Sequence, residues 1–300
     1  MVWGMKKHIL LTTAVLMISA SIVLSGCSSN KIMKSLMGKG YFSNSYDNAI
    51  SQTDIAGMIS SHFESSTSKS VKKKKAILIT IDGMRAEGLT HIMESDLGMS
   101  QISKDGGLYW TKPANLNSKA KVDEGVNFLS IVTGTEPSEF GVLKSTDVKR
   151  ELPYSIMTKV AEKYNVKFLT DNKNYANKHL AEEFAAKQSQ KLSVVTNNEL
   201  NQLRADCLRS LDNNDFIMVA ISNPYDVAAG NFKLSNESYL SAIIHLNYYI
   251  SELYEQVKLR ATEDWLFVAT TTCGGNSKLA ANNEEGNILT FMFTNKAIED

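Results

Sequence analysis

The sequence is poor in cysteine and proline and has no excess charge of either sign. Three cysteines in 300 residues exclude a disulfide-built scaffold. Four prolines and 17 glycines are too few for a collagen-like or low-complexity chain. Thirty-two Lys and Arg balance 32 Asp and Glu, which excludes binding of nucleic acid through bulk positive charge. There is no Cys-x-x-Cys pair, no His-Glu-x-x-His and no glycine-rich phosphate loop, so the corresponding zinc, redox and nucleotide-binding classes drop out. After the first 24 residues no run is long and apolar enough to span a bilayer. What remains is 43% hydrophobic, enough to build a core in one large domain or two small ones.

The first 26 residues read as a targeting segment. Lys6 and Lys7 precede an apolar run from Ile9 to Leu24. That run is shorter than the roughly 20 residues of a membrane-spanning helix and suits a signal peptide. It ends in Leu24-Ser25-Gly26-Cys27, which resembles the lipobox of bacterial lipoprotein precursors. The resemblance implies cleavage before Cys27 and attachment of diacylglycerol to its thiol. The chain is then expected on the extracytoplasmic face of a cell or outer membrane, held by lipid alone. Cys207 and Cys273 remain. An oxidising compartment permits a bridge between them, and free, buried thiols are the simpler expectation.

Residues 27–75 are rich in Ser, Asn and Lys and read as a tether. Within it Ile50, Ile55, Met58, Ile59 and Phe63 have rough helical spacing, so a short amphipathic helix is expected, packed on the domain or loose. The run Lys72–Lys75 reads either as a contact to anionic lipid or as a solvated lead-in to the first strand.

From Ala76 to the end, strand and helix patterns alternate. Ala76–Ile81 is a continuous apolar run, as in a strand buried on both faces. Further strands are expected over 166–169, 192–196, 216–221, 265–270 and 288–293. Helices are expected over 127–132, 154–164, 179–187, 199–211 and 238–259. This is the pattern of an α/β domain over 76–300, an open, mostly parallel sheet with helices on both faces. Ligands in such folds bind beyond the carboxyl ends of the strands, which directs attention to Asp82, Asp226, Thr272 and Cys273.

Several segments resemble one family in order. Ile79-Thr80-Ile81-Asp82-Gly83-Met84-Arg85 is similar to the opening motif of the alkaline phosphatase superfamily, in its type I phosphodiesterase/nucleotide pyrophosphatase and sulfatase-like branch. Asn127–Gly134 followed by Pro137 and Gly141-Val142, the strand Asp215–Val219, the helix start Glu237-Ser238-Tyr239 and the segment Trp265–Gly275 are similar to later blocks of that branch. The resemblance implies two divalent metals, usually zinc, and a Thr, Ser or modified Cys nucleophile activated by one of them. It places Asp82 and Asp226 at retained metal-ligand positions. Glu124 stands where the nucleophile belongs, and Gly230, Thr272 and Cys273 stand where ligands are substituted. Phe140 replaces a further His. The last ligand His would lie beyond Asp300, so the domain reads as C-terminally shortened. Of the five histidines, His62, His91, His179 and His245 lie beyond the signal and none falls at a ligand position.

Two carboxylates without imidazole make a poor zinc site. Two functions therefore stand side by side. One is a non-catalytic surface lipoprotein using this fold to bind an unknown ligand or protein partner, with no cofactor. The other is a phosphate- or sulfate-ester hydrolase with altered metal ligation, and only there do zinc or other divalent metals enter. A residue or two of misalignment would leave Ser118 or Ser130 as the nucleophile. Ser130 is expected inside a helix facing the sheet, with its hydroxyl satisfied.

Overall fold

The computed structural model describes residues 31–65, 72–114, 116, 122–141, 154–186, 191–275 and 285–298. Cys27 and Ser118 lie outside the described residues.

Eight strands form one sheet in the order β1-β3-β8-β7-β2-β6-β4-β5. They are β1 (Ile50–Ser51), β2 (Lys73–Asp82), β3 (Gly107–Lys112), β4 (Val166–Thr170), β5 (Leu192–Thr196), β6 (Phe216–Ile221), β7 (Glu263–Cys273) and β8 (Thr290–Thr294). All pairings are parallel except the two made by β8, which runs antiparallel to β3 and β7. β2 lies at the centre, buried from Ala76 to Asp82, between β7 and β6.

Side chains alternate across the sheet and feed two cores. Ile77, Ile79 and Ile81 face one layer together with Ile217, Val219, Phe267 and the buried side of α11 (Glu237–Lys258). Ala76, Leu78, Phe216, Met218 and Val268 face the other. That second layer holds α2 (Asp54–Glu64), α5 (Glu124–Thr133) and α7 (Ile156–Ala161). The remaining helices are α1 (Lys31–Met37), α3 (Leu89–Met93), α4 (Met99–Asp105), α6 (Pro137–Phe140), α8 (Ala181–Ala186), α9 (Leu200–Asn213), α10 (Asn223–Ala228) and α12 (Glu285–Ile288). Covering both faces of a mostly parallel sheet is what its near-continuous apolar strands require. Among the described residues no helix is long and apolar enough to cross a membrane.

The reading of residues 27–75 as tether is corrected over 31–64. Leu36 of α1 is buried in the first core, and Ile55 and Ile59 of α2 are fully buried in the second. β1 extends the sheet by pairing with β3. His62 fastens α2 to the lower sheet edge: its Nε2 donates to the carbonyls of Lys75 and Asp264, each at 3.0 Å. Lys296 donates to the other ring nitrogen at 3.3 Å. The domain therefore begins before Ala76.

The reading of the lysine run is corrected at Lys75, while Lys72 and Lys73 are exposed as a lead-in would be. Lys73 to Lys75 belong to β2. Lys75 is 1% exposed; its ammonium donates to the Leu211 carbonyl at 2.6 Å, pairs with Glu263 at 3.0 Å and lies over the Trp265 ring. A buried cation is tolerated only with partners of this kind, so it is closed to lipid.

Candidate functional site

Four parallel strands end along one edge, and each delivers a polar group there. β2 ends at Asp82, β4 is followed by Asp171, β6 by Ser222, and β7 ends at Thr272 and Cys273. Asp82 is 1% exposed and sits at the centre of a hydrogen-bond hub. Its Oδ1 accepts from the Thr272 hydroxyl at 2.6 Å. Its Oδ2 accepts from the Tyr175 hydroxyl at 2.6 Å and the Ser222 hydroxyl at 2.5 Å. Three O–H donors thus cover both carboxylate oxygens.

Local structure sets each donor. Tyr175 opens a π-helical turn, Tyr175–His179, closed by Leu180 N–H donating to the Tyr175 carbonyl at 3.1 Å. Its ring stacks on Phe128 of α5 at 4.0 Å. Ser222 precedes α10, and the Asp171 carboxylate accepts from the Ser222 and Asn223 amides at 2.7 and 3.0 Å. Asp171 thus answers the exposed amides at the start of α10. The Thr272 carbonyl accepts from Asn127 at 2.7 Å and Gln52 at 3.1 Å. Gly83, after Asp82, has φ +74°, and a Cβ there would lie 2.7 Å from the Tyr225 Cα. The Tyr239 hydroxyl locks this turn, donating to the Gly83 carbonyl at 2.7 Å and accepting from Arg85 N–H at 2.9 Å.

Glu124 is the first residue of α5, and the preceding Asp123 caps that helix by accepting from the Gly125 and Val126 amides. The helix expected from Asn127 therefore starts one turn earlier, at Glu124. Burial, reinforced by Asp123 and Asp82, pushes Glu124 up to about 8. Burial pushes Asp171 up to about 7, with its amide donors opposing and the Asp82 charge adding. Asp82 rises to about 6 through burial, held there by its hydroxyl donors. Asp226, on α10, is half-buried and raised by burial. The Cys273 thiol is fully buried and driven well up by burial, then by Glu124 and Asp82. The cluster is one of like charges sharing a poorly solvated place.

The placement of the substituted positions follows. Thr272 is the direct partner of Asp82. Cys273 is buried, and both Cys207 and Cys273 are free. Gly230 follows α10 with φ +81°, a conformation that suits glycine and strains an imidazole-bearing residue. Phe140 ends α6. His62 lies at the opposite sheet edge, and His245 is on the exposed side of α11. Ser130 lies fully buried inside α5, but its hydroxyl has no hydrogen-bond partner, which corrects the expectation that it is satisfied.

A dinuclear metal centre does not fit this arrangement. Among the described residues no three His, Cys, Asp or Glu side chains converge to hold an ion. The oxygens of Asp82 are turned to hydroxyl donors. Asp171, Ser222 and Tyr175 were not marked by the sequence reading. Asp171 had a signal, since it follows a strand as Asp82 does; Tyr175 had none.

Comparison with known proteins bears on the fold. No protein-family model and no curated protein sequence matches the chain. Among solved structures, it is similar to a protein in the alkaline phosphatase superfamily from Vibrio parahaemolyticus, at 10% identity and TM-score 0.50, over 83% of this chain and 70% of that one. It is also similar to murine ectonucleotide pyrophosphatase/phosphodiesterase 5, at 13% identity and TM-score 0.50, over 67% of this chain and 57% of that one. Phosphonoacetate hydrolase from Sinorhizobium meliloti 1021 matches at 15% identity and TM-score 0.46, over 68% of this chain. The chain spans 57% of the length of that hydrolase. At such identities the likeness shows the fold alone: the chain has an α/β fold of the alkaline phosphatase type.

Proposed function

We propose that the protein is a lipid-anchored extracytoplasmic lipoprotein whose alkaline-phosphatase-like domain binds a ligand or protein partner and does not hydrolyse esters. The observation that carries this reading is the closure of Asp82 by Thr272, Tyr175 and Ser222. A metal-activated nucleophile needs an ion, an alkoxide source and imidazole or carboxylate ligands acting together. By the sequence resemblance Glu124 takes the nucleophile position, and a carboxylate offers no alkoxide. Thr272, Cys273 and Gly230 bring a hydroxyl, a protonated thiol and no side chain.

The test is elemental zinc content of the purified protein together with turnover of aryl phosphate, phosphodiester and aryl sulfate. No stoichiometric zinc and no rate above background are expected. Groups of such a mechanism act as a unit, so partial activity is not anticipated. A metal-dependent turnover abolished by Asp82→Ala would establish the hydrolase reading instead.

The anchor has its own test. Cys27→Ser should leave an uncleaved, unlipidated precursor that loses the lipid label, since the thiol is the attachment point. A Cys27→Ser protein that still incorporates labelled fatty acid refutes lipidation at this residue.

A further inference from the structure

The two margins of the sheet are not alike. β1 ends one of them with two residues. β5 forms the other with five, Leu192-Ser193-Val194-Val195-Thr196. It pairs with β4 alone, in parallel and in unbroken register from Val166↔Leu192 to Thr170↔Thr196. Ser193, Val194 and Thr196 are exposed, Val194 at 37%. α9, which follows β5, packs over β4 and β6.

The ladder fixes which backbone groups of β5 point outward. The Lys191 carbonyl accepts from Val166 N–H at 2.7 Å, and Asn197 N–H donates to the Thr170 carbonyl at 2.9 Å. In a parallel pair, residues that bond the neighbouring strand alternate with residues that face away from it. Ser193 and Val195 therefore bond β4, while Leu192, Val194 and Thr196 turn both N–H and C=O outward. Among the described residues nothing pairs with these outward groups. Proteins commonly blunt such an edge with charge, proline or a bulge. β5 has none of these, and Val194, Val195 and Thr196 are β-branched residues suited to a strand.

The edge is complementary to itself. When two copies run antiparallel about a two-fold axis at Val194, Val194 of each copy meets its counterpart and Leu192 of each meets Thr196 of the other. Every outward N–H of one copy then faces an outward C=O of the other. Charge agrees with this direction. Lys191 precedes the strand and Glu199 follows it, both exposed. Antiparallel copies bring Lys191 of one towards Glu199 of the other at both ends of the seam, whereas parallel copies would set like charge beside like. A strand of arbitrary sequence has no such match. The seam is short, since a permanent dimer buries roughly 1,200–2,000 Å². Association through it is therefore weak and concentration-dependent.

We propose that β5 is a homodimerisation edge, through which two copies of the chain join their sheets into one by antiparallel pairing centred on Val194. The interface lies away from the Asp82 hub and does not depend on whether that hub is catalytic.

The experiment is sedimentation equilibrium on the full-length protein in detergent, with micelles in large excess over protein. The mass should rise from monomer towards dimer with a dissociation constant on the order of 10–100 µM. Val194→Lys sets two ammonium groups together at the axis and should weaken dimerisation about tenfold or more. Val194 is already partly exposed, so this variant should keep the melting temperature of the parent. Val194→Cys gives a second reading. Cα atoms of a hydrogen-bonded antiparallel pair lie about 5.5 Å apart, so a short bismaleimide should join this variant to itself. Cys207 and Cys273 are buried, and Ile244→Cys, exposed on the outer side of α11, supplies the collisional background. The proposal fails if the protein stays monomeric to about 300 µM, whether or not it captures an added strand peptide of another sequence. It fails equally if open assemblies form in place of a dimer, if Val194→Lys leaves the dimer unchanged, or if Val194→Cys crosslinks no better than Ile244→Cys.

Discussion

Asp82→Ala is expected to destabilise the fold by about 3–5 kcal/mol in buffer containing a metal chelator, measured by urea unfolding. The argument starts from what the carboxylate serves. Three hydroxyls, from Thr272, Tyr175 and Ser222, donate to it at 2.5–2.6 Å. All three residues are at most 2% exposed, so water cannot take over as acceptor without entering the sheet edge. Alanine removes the shared acceptor of groups delivered by β6, β7 and the π-helical turn, and the three segments lose their common point of attachment. Asp82→Asn should cost much less, about 1–2 kcal/mol, because the amide keeps one carbonyl acceptor and hydroxyls can turn to accept from its NH₂ group. An ion ligand would behave otherwise: both variants would lose the ion, and the loss would depend on added metal. Asp82→Ala within about 0.5 kcal/mol of the parent would show that the hub carries little.

The same hub shows where a sequence is readable and where it is not. The strand Ala76–Ile81, ending in an acid, is visible because an apolar run buried on both faces leaves a local signature. So is α11, through its regularly spaced Ile243, Ile250, Leu253 and Val257. The rule that strand ends carry ligands is enough to pick out Asp82, Thr272 and Asp226. It does not say that Thr272 faces Asp82, because that pairing joins residues 190 apart in sequence. Tyr175 and Ser222 carry no local mark, since a tyrosine in a polar loop and a serine after a strand are ordinary. Within the lysine run, Lys75 departs from the reading for the opposite reason. Charge reads locally as solvated, whereas Lys75 is buried because Glu263 and the Leu211 carbonyl arrive from elsewhere. β3, Gly107–Lys112, and the two-residue edge strand β1 are invisible because such short segments depend on the strands they meet. Residues 31–64 look like tether because their apolar positions are sparse, yet Leu36, Ile55 and Ile59 reach the two cores.

Stability should rise as the pH is lowered from about 8.5 to 6.5, opposite to the usual behaviour of a protein whose carboxylates are paired with cations. The groups responsible are Glu124, pushed up to about 8, and Asp171, pushed up to about 7, both by burial among further acids. In the unfolded chain these groups titrate near 4.5 and 3.8, so above about pH 6 they are ionised there. The folded state takes up protons in this window and the unfolded state does not. A raised acid contributes stability that is present in full below its unfolded value and lost as pH rises through its folded value. Acidification from 8.5 to 6.5 therefore favours the fold, by an amount on the order of 1–2 kcal/mol or a few degrees in melting temperature. Below about 6.5 a second group opposes the trend. His62 is lowered to about 4 by burial and by Lys296, so its neutral form belongs to the fold and its contribution is lost as pH falls through 6.5 towards 4. Glu124, Asp171 and Asp82, raised to about 8, 7 and 6, all still favour acid in that range, so His62 reduces the slope without reversing it until the carboxyls reach their unfolded values near pH 4–5. Glu124→Gln removes the largest proton-binding group, and should shrink the rise on acidification throughout the interval from pH 8.5 to about 4.5, the unfolded value of that carboxyl. Urea midpoints at fixed slope, in chelator, give the measurement. A flat profile over that window, or one that the Gln variant does not alter, would mean that Glu124 is solvated as a free carboxylate.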